Sequence, residues 1–180
     1  MHAPRRFLFL LSLLALAACG HPGAFEPFRE VSCFQAAQVS LTDAIAAAEA
    51  TGGKALDADY REEEEMGCLQ NAPGVYDVTL LSGGRINTVS VNARSHAVGP
   101  KEEESVMNAL LGGGPRFEGS PADMASMLPR MSLTMPQAIA AAEQQGGKAM
   151  SAWIERKDGK PGYTVKLVER GRVNVTWIPA

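Results

Sequence analysis

Few residues of this chain have the types and spacing that chemistry requires. Its three histidines, His2, His21 and His96, stand far apart, and none belongs to a metal-binding motif such as HExxH. The sequence also lacks the GxSxG turn of a serine hydrolase and the GxxxxGK[ST] loop that binds phosphate. We therefore expect no catalytic residue, no metal ligand and no cofactor, and we interpret His96 as a solvated loop residue.

Four consecutive glutamates at positions 62–65 are the densest charged group in the chain. Such a run could attract a divalent cation. In a strand or hairpin, however, successive side chains point to opposite faces, so these carboxylates would not converge on one ion. We favour a solvated acidic hairpin over a cation site.

The N-terminus has the pattern of an export signal. Arg5 and Arg6 precede an apolar run over residues 7–18, and small residues lead up to Cys19. A helix of twelve residues reaches about 18 Å, too short for a hydrocarbon core of about 30 Å. No other apolar run of 18 or more residues is present.

The ending LAAC resembles the bacterial lipoprotein signal. The resemblance implies cleavage after residue 18 and lipid on the sulfur and the new amino group of Cys19. An ordinary secretory signal is the alternative. Gly20 and His21 follow the cysteine, and no aspartate stands at these positions. Bacterial lipoproteins without an aspartate after the lipidated cysteine are usually sorted to the outer membrane. We therefore expect a lipid-anchored protein on the outer membrane that faces the periplasm.

The remaining two cysteines, Cys33 and Cys68, are an even number once Cys19 is lipidated. An oxidising compartment favours pairing them, and a structural disulfide is the interpretation we prefer. They could also form a redox pair, but they do not have the CxxC spacing of that class.

The formal net charge is −3, and loss of Arg5 and Arg6 makes the mature chain more negative still. A nucleic-acid-binding protein would carry clustered lysine and arginine, which this chain lacks. We therefore expect no nucleic acid among its partners.

The sequence contains an internal repeat of one predicted helix and the turn that follows it. AIAAAEATGGKAL covers residues 44–56, AIAAAEQQGGKAM covers residues 138–150, and three positions differ. The register without a gap places Ser40 opposite Thr134, each as a helix N-cap. Gln137 then completes a capping box with Thr134. Leu41, Ala44, Ile45 and Ala48 form one buried face, which Met135, Ala138, Ile139 and Ala142 repeat.

Each helix is followed by alternating, β-forming sequence. The second copy reads AMSAWIER, then YTVKLVE, then VNVTWI, with turn residues between the segments. We expect an α+β fold of two tandem small domains, each with one helix packed on an antiparallel sheet of about three strands. The core of the second domain would set Met135, Ile139 and Ala142 against five residues, Trp153, Val165, Leu167, Val173 and Val175. We expect this copy, residues 120–180, to fold alone.

The predicted organisation has five parts. They are a signal peptide at 1–18, a tether with a short element at 19–37, a first domain at 38–95, a linker with short helices at 96–131 and a second domain at 132–180. In the linker, a helix is expected over residues 100–111 and another from 120 to 128.

The capped AIAxAE helix, the glycine turn with Lys-Ala and the Y-x-V-x-L strand together resemble the PepSY domain, over residues 39–95 and 133–180. The resemblance implies a PepSY-like fold and a module that regulates or inhibits a peptidase, with no active site. We therefore expect a non-catalytic envelope lipoprotein that binds an envelope protein, with a peptidase as the suggested partner. A structural or assembly role in the envelope is the alternative.

Overall fold

The computed structural model describes residues 26–62, 74–103, 123 and 126–180. Within this part of the chain, seven strands form one antiparallel sheet and three α-helices accompany it. In chain order the elements are α1 (Glu26–Gln35), α2 (Leu41–Glu49), β1 (Lys54–Arg61), β2 (Val75–Ser82), β3 (Arg85–Asn92), β4 (Val98–Glu103), a 3-10 turn (Leu128–Arg130), α3 (Met135–Glu143), β5 (Lys148–Lys157), β6 (Lys160–Glu169) and β7 (Arg172–Pro179).

The strand order is β4-β3-β2-β1-β5-β6-β7. The two copies of the repeat meet where β1 pairs with β5, with Ala58 opposite Ala152 at the centre of the pairing. The predicted pair of separate domains, each with its own three-stranded sheet, is therefore wrong. Without this pairing, the backbone N–H and C=O groups at the centre of the facing edges of β1 and β5 would lack strand partners, and the three residue pairs between the two strands supply them.

Both repeated helices pack on the same sheet and contact each other, α2 against β1–β3 and α3 against β5–β7. The predicted helix faces are confirmed, because the buried residues of α2 and α3 are the eight that the spacing selected. Residues from both copies belong to one continuous hydrophobic cluster. The protein therefore has a single core where two had been expected.

The predicted capping register is also confirmed. Ser40 Oγ accepts a hydrogen bond from the Asp43 backbone N–H at 3.1 Å. In the second copy, the Thr134 N–H donates to Gln137 Oε1 at 2.8 Å, and the Gln137 N–H donates to Thr134 Oγ1 at 3.4 Å. These bonds satisfy N–H groups that the first helical turn would otherwise leave free.

The last residue of each repeated helix is a glutamate that binds the strand after it. Glu49 Oε1 accepts from the Ala55 N–H at 2.9 Å, and Glu143 Oε1 accepts from the Ala149 N–H at 2.8 Å. The last glutamate of each helix thus fixes the first residues of the strand that follows. At Gly53, φ is +132° and an added Cβ would lie 3.0 Å from the Leu81 carbonyl oxygen, so only glycine fits this turn.

The predicted linker helix over residues 100–111 does not begin as expected, because Val98–Glu103 is strand β4, paired with β3. Residues 104–111 lie outside the described residues. The local sequence PKEEE satisfies helix-start rules, but the free edge of β3 provides hydrogen-bonding partners that a short, exposed helix could not. No helix of the described residues is long and apolar enough to cross a membrane.

Candidate functional site: the open edge at β7

The predicted site residues are only partly within the described residues. Cys19, the predicted lipidation site, and Cys68 lie outside them. Cys33 lies on α1 and is fully buried, and its Sγ is 3.5 Å from Glu62 Oε2. Cys68 follows Glu62 by six residues in the sequence. Since Glu62 lies beside Cys33, a segment of this length is long enough to bring Cys68 to Cys33. The Cys33–Cys68 disulfide stays a prediction.

The weaker candidates, the histidines and the acidic run, are also only partly described. His96 lies in the turn after β3, with a φ of +62°, and His21 lies outside the described residues. Of the acidic run, Glu62 ends the first described segment, and residues 63–65 lie beyond it. Within residues 26–62, 74–103 and 126–180, no group of three or more His, Cys, Asp and Glu side chains is placed to hold a metal ion.

Burial changes the acidity of several side chains in the core. Tyr163 donates to the Leu133 carbonyl oxygen at 3.0 Å, and burial, aided by the charge of Glu49, raises its pKa to about 12. Tyr76 makes the same bond to the Val39 carbonyl oxygen at 2.8 Å, and burial raises its pKa too. These tyrosines join the sheet to the segment before each helix and stay neutral at physiological pH.

The two edges of the sheet differ sharply. At one edge, β4 carries Pro100 and three charged residues, and Arg85 pairs with Glu103 at 3.3 Å across the β3–β4 ladder. Lys101 also donates to the Gly52 carbonyl oxygen at 2.7 Å. Proline and charge on an edge strand are the usual protection against pairing with another chain.

The opposite edge, β7, has charge and proline only at its two ends, Arg172 and Pro179. Between Arg172 and Pro179 its sequence is VNVTWI, without a charged residue. Val173 is 41% exposed and Val175 is 62% exposed. Both valines had been expected in the core, and that prediction is wrong. Thr176 reaches Gln145, next to α3, so its neighbour Val175 points to the face opposite the helices.

Within the described residues, β7 pairs with β6 on one side and with no strand on the other. The Ala180 N–H donates to the Pro161 carbonyl oxygen, which fixes the alternation of the β6–β7 ladder. In that alternation, residues 172, 174, 176 and 178 bond to β6. The N–H and C=O groups of residues 173, 175 and 177 therefore point away from the sheet, along its open edge.

Trp177 packs against the neighbouring strand at the end of this edge. Its ring lies over Gly162, where an added Cβ would come within 2.7 Å of ring atoms. The Nζ atom of Lys157, on β5, lies 5.9 Å from the centroid of the Trp177 ring. Alternation in VNVTWI could have predicted that Val173 and Val175 share a face, but which face they share is set by the pairing with β6.

Over the part of the chain that the structure describes, the architecture is one seven-stranded antiparallel sheet with few helices, and this defines the class of the protein. No family model matches the chain, and no curated protein matches it. Among solved structures, it is similar to the crystal structure of a putative lipoprotein from Clostridium difficile 630, with 15% sequence identity and a TM-score of 0.38. The likeness covers 78% of this chain and 93% of that one, and at this TM-score it carries no argument.

Proposed function

We propose that this chain is a lipid-anchored envelope protein that binds an extended segment of another envelope protein along the open edge of β7. It acts by binding and not by catalysis. The observation that supports the proposal is the contrast between the two edges. The short strand β4 carries Pro100 and three charged residues within it, whereas β7 has no charge or proline between its end residues Arg172 and Pro179 and exposes Val173 and Val175.

Strand addition is the binding mode that fits this edge. An extended peptide that pairs with β7 would receive main-chain hydrogen bonds from residues 173, 175 and 177. Val173 and Val175 would contact alternate side chains of the peptide on one face. A partner segment rich in apolar or β-branched residues matches this surface best.

The sequence supplies the location and suggests a partner. The signal that ends in LAAC supports lipidation of Cys19 and a periplasm-facing position, with the outer membrane as the membrane concerned. The resemblance of the repeat to PepSY domains makes a peptidase the first partner to test. A role in envelope assembly is the alternative, and the identity of the captured protein separates the two.

The test compares two edge valines. Val175 lies on β7 and is 62% exposed, whereas Val98 lies on β4 and is 42% exposed. A photo-crosslinking residue is placed at each position in cells, and the products are identified. The captured partner is then purified and titrated against Val175→Lys and the matched control Val98→Lys.

We expect crosslinking to another envelope protein from position 175 and not from position 98. Val175→Lys should weaken binding about tenfold, because burying one valine side chain contributes about 1.5 kcal/mol. Val98→Lys should bind as the parent does. Crosslinks only to a second copy of this chain, or equal effects of both variants, would contradict the proposal.

A further inference from the structure

The internal repeat begins earlier than the two helices. The Ala37 N–H donates to the Phe34 carbonyl oxygen at 3.0 Å, and the Met131 N–H donates to the Leu128 carbonyl oxygen at 3.2 Å. Residues 34 and 128, and residues 37 and 131, have the same separation as the two N-caps, Ser40 and Thr134. The turn before α3 is therefore the counterpart of the end of α1.

In the first copy, an aromatic ring fills the space behind this turn. Phe34 is fully buried and meets Tyr60 edge-on at a centroid distance of 5.3 Å. Lys148, from the second copy, places its Nζ 5.0 Å from the centroid of the Phe34 ring and donates to the Ala37 carbonyl oxygen at 2.8 Å. Burial lowers the pKa of Lys148. The ring and the lysine thus join the two copies.

In the second copy, no side chain of the described residues fills the equivalent space. Leu128 stands where Phe34 would be, and Lys54 stands where Lys148 would be. A cavity of about 380 Å³ lies between them, lined chiefly by Lys54, Leu128, Met131, Leu133, Met135 and Tyr163. This volume is at the lower end of the range for small-ligand sites, about 300–1,000 Å³.

The lysine at this cavity is not held as its twin is. Lys54 Nζ lies 3.4 Å from Glu49 Oε2, and its side chain is 69% exposed. An exposed ion pair of this kind contributes little to stability, so the ammonium group can leave it at small cost. The counterpart of the acceptor that Lys148 uses is the Met131 carbonyl oxygen, and Met131 lines the same cavity.

We propose that this cavity binds a phenylalanine side chain presented by a partner protein, with Lys54 placed over the ring as Lys148 is placed over Phe34. The apolar walls accept the ring, and the ammonium group adds a cation–π contact. Glu49 stays in place, because its Oε1 is bound to the Ala55 N–H in the same way as Glu143 is bound to Ala149. The site lies apart from the β7 edge and does not depend on strand addition there.

The experiment titrates the full chain with N-acetyl-phenylalanine amide and follows chemical shifts by NMR. N-acetyl-leucine amide is the matched probe that lacks a ring. We expect saturable binding of the phenylalanine probe, with the largest shifts at Leu128, Met131 and Tyr163, and weaker binding of the leucine probe. Absence of saturable binding, or equal binding of the two probes, would overturn the proposal.

Three variants locate the site. Leu128→Phe places the ring of the first copy into the cavity and should abolish probe binding while the protein stays folded. Lys54→Gln should weaken binding of the phenylalanine probe about two- to fivefold, because the cation–π contact is lost, and should leave binding of the leucine probe unchanged. Lys160→Gln, at an exposed lysine that begins β6, is the control and should change the binding of neither probe.

The result can be separated from the proposed function. Val175→Lys should leave probe binding unchanged, because Val175 lies on the face opposite the helices and does not line the cavity. If Leu128→Phe binds the probe as the parent does, the cavity is not the site and the inference is wrong, whatever is found at β7.

Discussion

The shared core makes a test possible with the natural fluorophores of the chain. Both tryptophans, Trp153 and Trp177, belong to the second copy of the repeat. Ile45 belongs to the first copy, where it lies on the buried face of α2 and is fully buried. If the sheet and core are continuous, Ile45→Ala must lower the stability that the distant tryptophans report.

The expected magnitude follows from burial. Ile45 has no exposed surface, and the hydrophobic cluster to which it belongs contains residues of both copies. Removing such a side chain costs about 2–5 kcal/mol, the lost transfer free energy plus the cavity that is left. Taking about 3 kcal/mol, the midpoint of thermal unfolding of a chain this long should fall by about 6–12 °C.

The assay records tryptophan fluorescence and far-UV circular dichroism during thermal unfolding. Ile139→Ala is the matched variant in the second copy, since Ile139 is the equivalent residue and is also fully buried. Val175→Ala, at an exposed position, is the control. We expect both isoleucine variants to shift both signals together, and the valine variant to shift neither.

One result would refute this reasoning. If Ile45→Ala left the tryptophan transition unchanged while circular dichroism showed a separate, earlier transition, the copies would unfold independently. The pairing of β1 with β5 would then contribute no cooperativity to unfolding. The two copies would behave as two energetic units within one sheet.

Three further predictions concern the anchor, the disulfide and the second copy. Cys19→Ser should release the protein from membranes or leave its signal uncleaved; unchanged fractionation and processing would exclude lipidation at this cysteine. Alkylation without reductant, followed by intact-mass analysis, should show Cys33 and Cys68 blocked as a disulfide worth about 3–4 kcal/mol, and two alkylated thiols would disprove the bridge. A fragment of residues 120–180, expected from its sequence to fold alone, should instead dimerise through the exposed edge of β5, and sedimentation that shows a stable monomer would contradict this.

The sequence alone determined the local structure of each copy. The helix faces follow from the 3.6-residue period, and the caps follow from Ser40 and Thr134, because these interactions join residues a few positions apart. The same is true of the turns, where Gly53 and Gly147 adopt positive φ angles beside the next strand. Such features depend on neighbours in the chain and can be read without knowing the rest of the fold.

The tertiary structure decided everything that depends on distant pairing. The sequence does not specify that Ala58 pairs with Ala152, because either strand could meet any free edge. Nor does it place Val98–Glu103 in the sheet, since the charged segment satisfies local rules for a helix. The exposure of Val175 follows from the alternation that β6 imposes on β7.

Distant packing also explains why the two copies differ at the turn before each repeated helix. Phe34 and Leu128 are equivalent by position, yet one fills its site and the other lines a cavity, in each case against a lysine from the other copy. Packing between segments far apart in the chain decides such differences, because a side chain is buried only when its distant neighbours complete the space around it.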